Sequence, residues 1–415
     1  MRTVTVVGAS LAGLYAARAL RAQGYDGRLV IVGEEPHRPY DRPPLSKGFL
    51  TGATGEPDLA LADAEEETAL DAEWLLGVRA RGLDARGRTL LLGDGRSVAT
   101  DGLVVATGAR ARPLPGAEGL AGVHLLRTLD DARALRDALG GPARRVVVIG
   151  AGFIGAETAS SCATLGHDVT VVETARLPLL PQLGPEMGEF CAGLHARRGV
   201  RLLTGVRVAA LRGRAAVASP RITAVELADG RVLPADVVLT GIGAVPNDGW
   251  LAGSPLAVAD GVVCDDGCAT ALPQVVAVGD VARVGGVRSE HWTGATEQPA
   301  VAVRNLLAGR TVAHVRRAPY FWSDQYGVRL QFAGRRHDGD TARVVEGSPD
   351  EASFLCHYEH AGVTTAVLAV DRPRAFQRAR RDLGRAGATP TGQQRGRSAR
   401  PGSSALSTSR PATSL

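Results

Sequence analysis

The sequence predicts an α/β protein built on two Rossmann-like dinucleotide-binding units, and two stretches of chain carry that prediction. In the first, Val4-Thr5-Val6-Val7 is a β-branched apolar run of the kind a buried parallel strand needs. It passes into Gly8-Ala9-Ser10-Leu11-Ala12-Gly13, then an alanine-rich helical pattern, then a second apolar run, Leu29-Val30-Ile31-Val32, closed by Gly33-Glu34. In the second, 142 positions on, Arg145-Val146-Val147-Val148-Ile149 leads into Gly150-Ala151-Gly152-Phe153-Ile154-Gly155. A helix through Ala159 and Leu165 follows, then Val169-Thr170-Val171-Val172-Glu173. One glycine motif is weak evidence. Two copies, each with strand, turn, helix, strand and terminal acid, are strong.

Each part has a physical role. The first glycine makes the tight turn, the second lets the backbone approach a pyrophosphate, and the third lets helix pack closely on strand. The helix N-terminus offers free N–H groups to phosphate. The acid ending the second strand, Glu34 or Glu173, accepts from a ribose diol. Ser10 replaces the middle glycine of the first copy, and is small enough for close approach. Two such sites in one chain point to two dinucleotides, most simply a flavin and a nicotinamide. Further strands are expected at Leu103-Val104-Val105-Ala106, at Asp236-Val237-Val238-Leu239, and at Val275-Val276-Ala277-Val278 before Gly279-Asp280. Asp280 stands at the C-terminal end of its strand, where open α/β sheets bind ligands; a structural turn aspartate is the alternative.

Composition narrows the class. At 415 residues, 45% hydrophobic and 22% charged, the chain can bury large cores without disulfides or a structural metal. Met1 is followed at once by the first strand, which leaves no room for a signal peptide. No apolar run of about 18 residues appears, so no membrane span is expected. The five cysteines lack a disulfide-scaffold spacing, and a cytoplasmic protein is the reading. The net charge of +5 comes from Arg385, Arg395, Arg397, Arg400 and Arg410 in residues 383–415, a Gly/Ser/Thr/Pro-rich tail expected to be disordered. That tail has no aromatics to stack bases, so no nucleic-acid role is assigned. Of 48 basic residues, only Lys47 is lysine.

Several blocks resemble one known family. Tyr40-Asp41-Arg42-Pro43-Pro44-Leu45-Ser46-Lys47 is similar to the signature that follows the first βαβ unit in FAD-dependent ferredoxin reductases, the putidaredoxin-, rubredoxin- and dioxygenase-ferredoxin-reductase group. Ala106-Thr107-Gly108, Gly241-Ile242-Gly243-Ala244-Val245-Pro246-Asn247, Val278-Gly279-Asp280, Glu290-His291-Trp292 and Phe321-Trp322-Ser323-Asp324-Gln325-Tyr326 look like further blocks of that family, over roughly residues 1–382. The resemblance implies a glutathione-reductase-like fold: an FAD domain from 1–110 and 236–315, an NAD domain at 111–235, and a small C-terminal α+β domain at 316–382.

It also implies roles. Gly8, Ala12 and Gly13, with Ser10 between, would contact the FAD phosphates, and Glu34 the adenosine ribose. Arg42 and Lys47 would lie by the flavin, Val78 by the adenine, and Arg127 along the cofactor. Asp280 would hold the ribityl chain, and Trp292, with the start of the next helix, would face the pyrimidine edge. Gly150, Gly152 and Gly155 would take the NAD pyrophosphate and Glu173 its ribose. Glu157 would stand near the nicotinamide, and Gly243 would be a further cofactor-binding residue. Trp322 is left between covering the nicotinamide and core packing. The implied activity is electron transfer from NADH through FAD to an iron–sulfur ferredoxin, which would supply a haem monooxygenase or a ring-hydroxylating dioxygenase. No metal is expected.

Two rivals stay open. A disulfide, CoA-disulfide or oxygen reductase of the same superfamily would need a reactive cysteine beside the flavin, yet no cysteine precedes Cys162 and no C-x-x-C occurs. A slow FAD- and NAD-binding interaction protein, similar to apoptosis-inducing factor, would share the same flavin-site residues.

Overall fold

Both βαβ units fold as parallel sheets. The computed structural model describes residues 1–386 except 87, 216–218 and 316–318. The first sheet runs Val275–Ala277, Gly102–Val105, Thr3–Val7, Arg28–Val32, Ala72–Leu75, all parallel. Its central strands are buried on both faces, with Val4, Val6, Val30 and Val104 at 0% exposure, as continuous apolar runs require. The second sheet runs Arg201–Leu203, Asp168–Val172, Arg145–Ile149, Val237–Thr240, Val123–His124, again parallel. The repeat extends past what the βαβ pattern reveals. Ahead of Gly102–Val105 in the first unit and of Val237–Thr240 in the second lies a three-stranded antiparallel sheet, built from Ala80–Asp84, Thr89–Leu92 and Ser97–Ala99 in the first and from Val208–Arg214, Arg221–Leu227 and Val232–Pro234 in the second.

The family resemblance implies a return to the first unit at 236. The structure corrects this, because Val237–Thr240 pairs with Val146–Ile149 of the second sheet, which moves the return past Thr240. An apolar strand pattern states that a strand exists but not which sheet it joins. The crossing itself is made by Ala109–Ala111 against Ala244–Pro246, antiparallel.

The C-terminal module is a five-stranded antiparallel sheet in the order Tyr320–Gln325, Val328–Gly334, Val363–Val370, Ser353–His360, Thr341–Ser348. The helix Pro373–Ala386 packs Phe376, 0% exposed, against Ala333, Leu355, Val367 and Ala369. That helix corrects the expected end of the module at 382. Leu383 packs against the same core, which carries the helix on to Ala386. The rest of the expected disordered tail, 387–415, lies outside the described residues.

One hydrophobic cluster joins all three modules. It holds Tyr40, Leu45 and Phe49 of the first unit, Val148, Cys162 and Leu194 of the second, and Tyr326, Phe332 and Phe354 of the C-terminal sheet. The segment carrying Lys47 is thus fixed where the three modules meet.

Candidate functional site

The two glycine turns have the same construction. A Cβ on Gly8 would lie 2.1 Å from the Ala106 carbonyl oxygen, and one on Gly150 2.3 Å from that of Gly241. A Cβ on Gly13 would lie 1.8 Å from Gly8 O, and one on Gly155 2.0 Å from Gly150 O. No side chain fits at these four positions, so each turn is closed tightly onto strand and helix. The middle position differs. A Cβ on Gly152 would meet nothing within 4 Å, so its glycine keeps open the space above the helix. Ser10 occupies the matching place and accepts from Arg42 Nε at 3.3 Å. The helices Leu11–Ala22 and Phe153–Thr164 both begin without a side-chain cap and without an acid in the first turn. Their N–H groups are left for an anion. Ala12 lies buried in the first of these helices.

Ser10, Arg42, Arg127 and Asp280, all predicted from sequence, form one hydrogen-bonded chain. Arg42 also donates Nη1 to Arg127 O at 2.6 Å and Nη2 to Glu35 Oε1 at 2.6 Å. Arg127 donates Nη2 to Asp280 Oδ2 at 2.7 Å and Nε to Ala109 O at 2.9 Å. Glu35 was not singled out, although it is the hinge of this chain: its second oxygen accepts from Tyr40 Oη at 2.5 Å. Burial holds the Tyr40 phenol well above its ordinary pKa, so it stays a donor.

Lys47 and Glu157, far apart in sequence, meet directly. Lys47 Nζ donates to Glu157 Oε2 at 2.7 Å and to Pro43 O at 2.9 Å. The Glu157 carboxylate, 4% exposed, also accepts from Ser46 Oγ at 2.6 Å and from Ser323 Oγ at 2.7 Å. All three modules contribute: Lys47 and Ser46 come from the first, Glu157 from the second and Ser323 from the C-terminal sheet. Sequence reasoning named the two charges but neither serine. Ser323 lies in the quoted Phe321–Tyr326 block, and alternation of buried residues along that strand was the available signal.

Trp292 opens the helix Trp292–Ala308 and donates Nε1 to Asp41 Oδ1 at 3.0 Å. Its ring lies 5.9 Å from that of Trp322, which stacks on Tyr320. Trp322 is therefore packed among aromatics at the junction. Burial pushes Asp41 upward against the Trp292 N–H and the charge of Lys47.

The two terminal acids stand differently. Glu34 is exposed and paired with Arg79, a partner that sequence did not suggest. Glu173 turns onto the glycine loop, its oxygens accepting from Ala151 N at 2.7 Å and Ala175 N at 2.8 Å. Val78 donates its N–H to Gly33 O at 2.8 Å beside Glu34. Gly243 has φ +103°, a backbone setting that glycine alone adopts readily. All five cysteines are free and buried. Burial pushes the thiols of Cys162, Cys191, Cys264 and Cys356 up to about 12, and that of Cys268 higher. None is a ready thiolate, and none lines the Lys47–Glu157 site.

The family model described as pyridine nucleotide-disulphide oxidoreductase matches residues 2–299, and the model described as reductase C-terminal matches 320–395. The chain is 39% identical, over 91% of each chain, to the ferredoxin reductase component of chlorobenzene dioxygenase from a Cupriavidus species. It belongs to the FAD-dependent NADH:ferredoxin reductase family. It is also 34% identical to putidaredoxin reductase from Pseudomonas putida, over 91% of this chain and 90% of that one. The crystal structure of the covalent putidaredoxin reductase–putidaredoxin complex superposes with a TM-score of 0.87 at 34% identity, covering 92% of this chain and 93% of that one. As a member of this family the chain is an oxidoreductase that uses FAD and NAD(H). The uncapped helix N-termini behind the two glycine turns fit two such groups. Among the described residues no cluster suits a metal, and no helix is long and apolar enough to cross a membrane.

Proposed function

We propose that this reductase passes electrons from NADH through FAD to an iron–sulfur ferredoxin, which in turn supplies a haem monooxygenase or a ring-hydroxylating dioxygenase. The observation that carries this reading is the Lys47–Glu157 pair, set between two dinucleotide-type glycine turns with no reactive cysteine beside it. The same absence counts against a disulfide reductase, which needs an accessible thiolate.

When bound, FAD takes up two electrons together and releases them singly, which a nicotinamide and a one-electron carrier lack between them. The chain's residues do the positioning. Gly8, Ser10, Ala12 and Gly13 receive the pyrophosphate of FAD, with Glu34 on its ribose, Val78 by its adenine and Gly243 nearby. Arg42, Arg127 and Asp280, already bonded to one another, line its length, and Trp292 closes the flavin end with the N-terminus of its helix, which favours negative charge. Gly150, Gly152 and Gly155 receive the pyrophosphate of NADH, with Glu173 on its ribose. Lys47 holds a compact positive charge at Nζ where the two sites meet, and Glu157 fixes it there.

In this division residues 1–112 and 244–315 form the FAD domain, the second sheet the NAD domain, and residues from 320 on the C-terminal domain. We place the reaction in the cytoplasm, where five free cysteines stay reduced. The purified protein should be yellow, NADH should bleach it anaerobically, and cytochrome c reduction should depend on added ferredoxin. A colourless protein, or a cytochrome c rate indifferent to ferredoxin, would overturn the reading; the second result would favour the slow interaction protein instead.

A further inference from the structure

The helix Phe153–Thr164 is largely apolar, yet Glu157, Ser160, Ser161 and Thr164 recur on it at i, i+3, i+4 and i+7, which is one face. That polar stripe begins at the buried Glu157 and ends at exposed Thr164. Its hydroxyls are all placed. Ser161 donates to Ser46 O at 2.7 Å, Thr164 to Ser160 O at 2.9 Å, and Ser160 accepts from Tyr326 N at 2.7 Å. Along it runs a groove of about 500 Å³ lined by Lys47, Thr51, Ser160, Ser161, Thr164 and Arg329, among others, with Asp324 and Asp371 on its wall. Both outer carboxylates face Arg329: Asp371 accepts from its backbone N–H at 2.8 Å, and Asp324 lies 3.5 Å from its guanidinium. The ionisable groups around Lys47 are therefore Glu157 and Asp41 on the inner side and this trio on the groove side. The groove thus joins solvent to Lys47, the ion pair that spans the two dinucleotide units.

We propose that this groove is the proton outlet of the reaction, with Lys47 as its inner end. The inference rests on the proposed reductase activity. NADH gives up a hydride, which is one proton and two electrons. Two one-electron ferredoxins take the electrons, so one proton must reach water in every turnover. Lys47 Nζ passes a proton to water in the groove and takes up the one left behind, ending as the ammonium it began. Water suits such a relay, since it donates and accepts, and the Ser161 and Thr164 hydroxyls, whose protons go to backbone carbonyls, are left to accept from it. Glu157, with Ser46 and Ser323, keeps Nζ at the junction.

The lone lysine provides the test. In the FAD-loaded protein a small amine-acetylating reagent has only Lys47 and the chain's α-amino group to modify, and peptide mass spectrometry separates them. Thr51→Trp, on the short helix Gly48–Thr51, and Thr164→Trp, at the end of Phe153–Thr164, each narrow the groove from a different side. Acetylation of Lys47 should slow at least about tenfold in each variant, with the flavin spectrum and the rate of flavin reduction by NADH retained. Ferredoxin-dependent turnover should fall and its solvent deuterium isotope effect should rise, as proton exit becomes limiting. Unchanged acetylation in both variants would show that Lys47 is reached from elsewhere. Slowed acetylation with unchanged turnover and isotope effect would show that the groove carries no proton. Failure of NADH to reduce the wild-type flavin is a separate result, and would count against the activity itself.

Discussion

Lys47 and Glu157 stand 110 positions apart in the chain and 2.7 Å apart in the structure, in a pair completed by hydroxyls from two modules. Removing one partner of a buried pair leaves an uncompensated charge, at a cost of about 3–5 kcal/mol. Lys47→Ala leaves Glu157 with only the Ser46 and Ser323 hydroxyls. Because Lys47 is itself 20% exposed, the loss should fall at or below the lower end, and calorimetry should show a folded, less stable protein that still binds FAD. Lys47→Arg keeps the charge but spreads it over a larger plane. Both variants should slow flavin reduction by NADH about ten- to a hundredfold. Stopped-flow reduction at the wild-type rate in Lys47→Arg would show that a point charge is not required.

Glu173 is held in place by the N–H groups of Ala151 and Ala175. A phosphate on the adenosine ribose would meet this carboxylate, and like charges repel in a partly desolvated site. Arg176, exposed three residues on, softens the exclusion. NADH should be preferred over NADPH by at least about tenfold in kcat/KM, roughly 1.4 kcal/mol, and Glu173→Gln should narrow the ratio. Equal kcat/KM for the two nucleotides in the wild type would refute the assignment.

What the sequence makes legible here is local. The strand–glycine–helix–strand order fixes both turns, because steric exclusion at Gly8, Gly13, Gly150 and Gly155 acts over a few residues. The partners of the charged groups were not legible. Ser323 on Glu157, Glu35 on Arg42, Arg79 on Glu34 and Asp41 on Trp292 depend on pairings across long stretches of chain, and no period reports them. The sheet that Val237–Thr240 joins is hidden for the same reason, since its apolar pattern suits either one.

Electron delivery to an acidic one-electron carrier should be steered by charge. Arginine is concentrated locally even though residues 1–382 balance: Arg374, Arg378 and Arg381 are exposed on the C-terminal helix, and Arg380 lies over the Tyr320 ring at 4.5 Å. At sub-saturating ferredoxin the rate should fall as salt rises through the physiological range, where screening shortens to about 8 Å. A flat salt profile would remove electrostatic docking from the account.

His195 reports on the contact between the second unit and the C-terminal sheet. Its Nδ1 lies 2.6 Å from Tyr326 Oη, and the residue is 0% exposed. Burial also pushes the Tyr326 phenol upward, so the hydroxyl donates and the imidazole accepts as the neutral base. Burial lowers His195 from 6.5 to about 4. Between those values the unfolded chain binds a proton that the folded one does not. Stability from this group is therefore complete above about pH 6.5, falls as the pH drops, and levels off below about 4, for a total of ~3 kcal/mol. Protonation would also turn Nδ1 into a donor facing a donor. His195→Gln offers an acceptor that does not titrate. Thermal melts from pH 7.5 to 4.5 should show the wild type losing stability faster than His195→Gln, the gap between them changing steadily below pH 6.5. Parallel curves across that range would show that His195 does not carry the acid sensitivity of this contact.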